Sequence, residues 1–134
     1  MSTPHRGLHS YRQTQVQAST PVEQVVLLYD GALRFMADAR HAIEQRDIVA
    51  RRLAVSRALA IIGELRGSLD MAQGGDIAVS LKKLYVYAQD RLMDAVMYHD
   101  VRGVDDASLV FTTVRDAWRT VASSAKQDAK GSAA

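Results

Sequence analysis

The stretch STPVEQVVLLYDGALRFM, residues 19–36, decides the fold. It opens as a helix: Thr20 is placed to cap, Pro21 suits the first helical position where a missing N–H is no loss, and Glu23 completes a capping box. Val22, Val25, Val26, Tyr29, Ala32, Leu33, Met36 and, further on, Ile43 recur at three- and four-residue steps, which puts them on one side of a helix from 21 to about Gln45. Asp30-Gly31 interrupts that run. A mid-helix glycine costs roughly 1 kcal/mol against alanine, so its presence points to another segment close to the backbone there: the chain's own leader, a bound partner, or a sister helix. Asp30 lies off the core stripe and is expected to stay hydrated while Tyr29 packs inward.

Outward from this helix the pattern repeats. Asp47 is the expected cap of a second helix, on which Val55, Leu59, Ile62 and Leu69 form a central stripe and Ala54, Ala58, Ile61 and Leu65 a second one beside it. Together they span roughly 160° of the wheel, more than a simple surface helix requires. QGGD at 73–76 pairs a glycine suited to a left-handed helix stop with an aspartate suited to a helix start, and so predicts a tight turn between helices two and three. The third helix carries Ile77, Leu81, Leu84, Tyr85, Ala88, Leu92 and Ala95 on its core side. HDVRGVDD at 99–106 is expected to break the pattern, with His99 complementing the end of helix three and Asp100 capping helix four. Helix four then buries Ala107, Phe111, Val114, Trp118 and Val121.

Four amphipathic helices with brief connections predict an all-α protein, an antiparallel up-down-up-down four-helix bundle over residues 20–123. Residues 1–19 and 124–134 lack periodicity and read as a mobile N-terminal segment and a disordered tail.

Composition agrees and excludes much chemistry. In 134 residues, 48% hydrophobic content with 6% aromatic residues and two prolines fits one helical domain with an aliphatic core. Absence of cysteine removes disulfides, thiolate metal sites and thiol nucleophiles. Seventeen basic against fifteen acidic residues leave a formal charge of +2, which gives nucleic-acid binding no support. Arg51, Arg52 and Arg57 share helix two with Asp47 and Glu64, with no interleaved aromatic platform, and read as a solvated face. The first residues lack the apolar segment of a secretory signal, and no run approaches the ~20 apolar residues of a membrane span, so a soluble, unexported protein without membrane insertion is expected. A di-iron bundle needs Glu-x-x-His on two helices. HAIE at 41–44 has the reverse order, once, and His5 and His9 are isolated. GG at 74–75 lacks the Lys-Ser/Thr of a phosphate loop. Without nucleophile, metal or cofactor, an enzyme is not expected.

Helix three exceeds what a bundle needs. Val79, Val86, Met93 and Met97 fall in a narrow stripe roughly 120–160° from the centre of its core face, at 100° per residue. Such a second apolar side fits a helix-in-groove docking surface and also supports self-association. Wheel arithmetic groups Ile61 and Leu65 of helix two with Val86, Met93 and Met97 as groove residues. Leu8, Tyr11 and Val16 are apolar anchors in an otherwise polar leader, either incidental to a disordered segment or a flap that covers a binding surface when it is empty.

These blocks, in order, resemble the flagellar secretion chaperone FliS family across residues 8–122: YRQTQV with Tyr11 and Val16, STPVEQVVLLYDGALRFM, IIGELRGSLD, GGDIAVSLKKLYVYAQDRL and VRDAW. The resemblance implies an antiparallel four-helix bundle in the cytoplasm, without cofactor, that binds the C-terminal segment of newly made flagellin. It further implies that binding prevents premature polymerisation and delivers the subunit to the flagellar type III export gate. By the same resemblance Tyr11 and Val16 are flap anchors, and Leu8 matches more loosely. The alternative is a generic helical-bundle adaptor that uses the same surface for a different client.

Overall fold

In the computed structural model of the chain, the described residues run from 20 to 133, with side chains through 128. They form four helices: α1 Pro21–Glu44, α2 Ile48–Gly67, α3 Met71–Tyr98 and α4 Val101–Ala133. The connections are two or three residues long, so consecutive helices run antiparallel. The helices pack around a ring, α1 on α2, α2 on α3, α3 on α4 and α4 back on α1. This is the expected up-down-up-down bundle.

Local chemistry fixes most of the boundaries. Thr20 has extended backbone, its Oγ1 accepts from the Glu23 N–H at 3.2 Å, and its hydroxyl donates to the Glu23 carboxylate at 3.2 Å, with Pro21 opening the helix. Asp47 Oδ1 accepts from the Ala50 N–H at 3.0 Å and caps α2. The next turn differs from the expected one. Ser68 closes α2 and Asp70 caps α3, accepting from the N–H groups of Ala72 and Gln73 at 3.1 and 3.0 Å. QGGD therefore lies inside α3, where Gly75 at φ 53° and ψ −133° breaks the helical path after its first turn. The glycine does adopt a left-handed conformation, but within the helix, because Asp70 offers a cap six residues before Asp76.

The last connection is also shorter than HDVRGVDD suggests. His99 takes φ 54° and ends α3, and Asp100 Oδ1 accepts from the Arg102 N–H at 2.9 Å. Gly103 is already helical and buried against α3, where a Cβ would run into the Arg91 carbonyl oxygen and sit 3.2 Å from the Ala95 N. A glycine that reads as a breaker is here a point of close helix contact.

The core mixes alanines, which let helix axes approach, with a few large side chains. Tyr29 of α1, Tyr85 of α3 and Phe111 of α4 meet at its centre, with ring centroids 4.9–6.2 Å apart. Gly31 faces α2: a Cβ there would meet the Ile61 Cδ1 at 3.2 Å. Of the three explanations for Asp30-Gly31, packing with a sister helix is the one the described residues support. Asp30 receives Arg115 and Arg119 of α4 at 3.4 and 3.3 Å.

Four expectations are corrected. Ile77 and Val121 are exposed although in phase with their core stripes, because phase fixes which way a side chain points and not whether a neighbouring helix extends far enough to cover it. Arg51 is 4% exposed rather than solvated, with a guanidinium N–H directed at His99 Nδ1 across the α3–α4 turn. Finally, α4 continues to Ala133 in place of a disordered tail. Its side chains from 123 to 128 are all exposed, so this stretch extends the helix without an apolar face.

Candidate functional site

A surface that takes a partner must be built on an element whose rotation is fixed, and α3 is held from two sides. Inside, the Tyr85 and Tyr29 hydroxyls share a buried hydrogen bond of 2.6 Å that ties α3 to the diagonally opposite α1. Burial raises both phenol pKa values, Tyr29 against the opposing pull of its hydrogen bonds and Tyr85 with further help from Tyr29. Both rings therefore stay neutral through the physiological range. At the flank, Arg91 donates from Nε to Asp106 of α4 at 3.0 Å and from Nη1 to Asp94 at 2.9 Å. Asp106 beside it raises the Arg91 pKa further, so the guanidinium remains charged.

With Tyr85, Ala88, Leu92 and Ala95 turned inward, Val79, Val86, Met93 and Met97 must face away from the core. Val79, Met93 and Met97 are exposed, and Val86 is half-buried. From residue 79 to 97 the stripe runs ~27 Å along the helix at 1.5 Å per residue. Val79 and Val86 line a depression of about 550 Å3 together with Met71, Tyr87, Lys82, Lys83 and Asp90. Met71 and Tyr87 extend the apolar surface beyond the residues expected from sequence. Tyr87 was within reach of wheel arithmetic, at ~80° from Val79; Met71 was not, since it precedes the Gly75 break. The lysines and Asp90 give the depression a polar rim. Such a surface is suited to binding and not to bond chemistry: an apolar face to bury, flexible thioethers that adapt to it, and charged edges.

The other expected site residues fall elsewhere. Ile61 and Leu65 are 5% and 2% exposed and belong to the core, because α2 is buried across a wide arc of its wheel. As the chain stands they are closed to a docking segment. Leu8, Tyr11 and Val16 lie outside the described residues. Among the described residues no three His, Asp or Glu side chains gather as metal ligands, and no helix is long and apolar enough to cross a membrane.

Comparison with known proteins gives a consistent answer. Residues 5–125 match the family described as Flagellar protein FliS. The chain is 32% identical over 120 residues to the flagellar secretion chaperone FliS of Salmonella typhimurium, a match that covers 86% of this chain and 89% of that protein. It is 31% identical over 123 residues to the protein of the same name from Bacillus subtilis, covering 92% and 91% of the two chains. With the Campylobacter jejuni chaperone of that name it shares 34% identity over 113 residues, covering 84% and 88%.

Proposed function

The chain belongs to the FliS family, and from that premise we propose that it is a flagellar export chaperone that binds the C-terminal segment of flagellin in the cytoplasm. Bound to it, the segment is unable to enter premature polymerisation, and the complex is delivered to the export-gate protein. The observation that supports this reading is the outward apolar stripe of α3, on a helix whose other side is committed to the core.

The mechanism is stoichiometric binding without turnover. A flagellin tail that is disordered when free folds as it docks, losing conformational entropy and gaining apolar burial. At ~25 cal/mol per Å2 of apolar surface, a long wrapped interface offsets that ordering and leaves useful affinity. The docking residues are Val79, Val86, Met93 and Met97, joined by Met71 and Tyr87. Leu8, Tyr11 and Val16 act as a flap that competes for this surface.

Calorimetric titration with the cognate flagellin C-terminal peptide tests the proposal, with a scrambled peptide as control. Saturable one-to-one binding with a negative heat-capacity change is expected. A folded protein that ignores the peptide, or that prefers unrelated amphipathic peptides, would reduce the assignment to an adaptor for another client.

A further inference from the structure

The methionines divide sharply by environment. Met36 is fully buried, with the Ser108 hydroxyl against its sulfur at 3.6 Å. Met71, Met93 and Met97 are exposed, at 42%, 44% and 61%, and are all of the exposed methionines among the described residues. All three lie on α3: Met71 lines the depression with Val79 and Val86, and Met93 and Met97 continue the same stripe. The oxidisable thioethers open to solvent are thus gathered on the one face proposed to bury a client, while the core keeps its own out of reach.

We propose that α3 carries an oxidation-sensitive modification site, in which conversion of Met71, Met93 and Met97 to sulfoxides by a hydroperoxide switches off client docking. This rests on the client reading above. In the step, the thioether sulfur attacks the terminal oxygen of hydrogen peroxide, the O–O bond breaks and an S–O bond forms. Sulfur is oxidised by two electrons, and the displaced hydroxide takes the proton of the transferred oxygen and leaves as water. The product is polar, chiral and a strong acceptor. Burying it against an apolar helix forfeits the transfer energy of the thioether and leaves the S=O without a donor. Because the three side chains face solvent, the fold itself does not depend on them, and sulfoxide reductases can restore the surface.

The test treats the full chain with limiting hydrogen peroxide, removes the excess with catalase, maps sulfoxides by mass spectrometry, and titrates with the flagellin C-terminal peptide. Sulfoxide is expected at Met71, Met93 and Met97 before Met36, with an unchanged helical spectrum and affinity reduced about tenfold or more per buried sulfoxide. Treatment with methionine sulfoxide reductases should recover it. A triple variant M71L/M93L/M97L, compared only with its own untreated sample, should lose its sensitivity to peroxide whatever its starting affinity. Sulfoxides on the stripe with undiminished binding overturn this inference and leave the client reading intact, as does an affinity loss that persists in the triple variant. An untreated chain that never binds the peptide overturns both.

Discussion

The Tyr29 and Tyr85 hydroxyls hydrogen-bond each other at 2.6 Å in the middle of the bundle. Replacing Tyr85 with phenylalanine keeps the ring and removes this bond, at an expected cost of about 1 kcal/mol, read as a lower urea midpoint. The pair also sets an alkaline limit. Unfolded tyrosines ionise near 10.0, whereas both folded phenols are held above that value by burial. The folded state therefore retains protons that the unfolded chain gives up. The stabilisation is complete below pH 10 and lost as pH rises above it, at ~1.4 kcal/mol per pH unit for each tyrosine. Denaturation curves between pH 9 and 11 should show that decline, and Tyr85→Phe should roughly halve its slope. Buried Arg51 is the residue-scale feature least visible in sequence, since Arg51, Arg52 and Arg57 look alike until the α3–α4 turn places His99 over one of them.

At the scale of elements, α3 and α4 meet through Gly103. Substitution by alanine would gain helix propensity but force a Cβ into the Arg91 carbonyl, and a backbone atom cannot move aside as a side chain can. Gly103→Ala is expected to destabilise by about 2–3 kcal/mol, a value that urea denaturation would measure. The outward side of α3 should behave in the opposite way. Met93→Asp with Met97→Asp should abolish binding of the flagellin peptide while leaving the helical spectrum intact; retained binding would take the stripe out of the proposal. Caps at Thr20 and Asp47 could be read from sequence because each is local chemistry, one side-chain oxygen and the N–H groups of the next turn. The α2–α3 turn could not be placed, since Asp70 and Asp76 both look like caps and only tertiary packing chooses. Similarly, the wheel put Ile61 and Leu65 beside the stripe of α3, but periodicity does not distinguish an apolar side chain that lines a groove from one that another helix covers. The α3 stripe itself was legible, because a helix has one inward side and this one carried two apolar ones.

For the whole molecule, the leader and the client are proposed to compete for one surface of the bundle. Removing residues 1–17 should strengthen or accelerate binding of the client peptide in calorimetric and stopped-flow experiments. Unchanged or weaker binding would argue against a purely inhibitory flap. Stability should depend little on salt, because the α1–α4 ion pairs of Arg119 with Asp30 and of Arg40 with Asp105 lie at the surface, where such pairs contribute about 1 kcal/mol at most.

The ring order of the helices carries a consequence for synthesis. Three of its four interfaces join neighbours in sequence, and only α4 against α1 spans the chain. Most contacts are therefore short-range, which favours rapid folding. An α1–α2 hairpin can assemble while α4 is still within the ribosome, and Arg115 and Arg119 reach Asp30 only once nearly the whole chain has emerged. Closure of the ring therefore waits on the synthesis of α4.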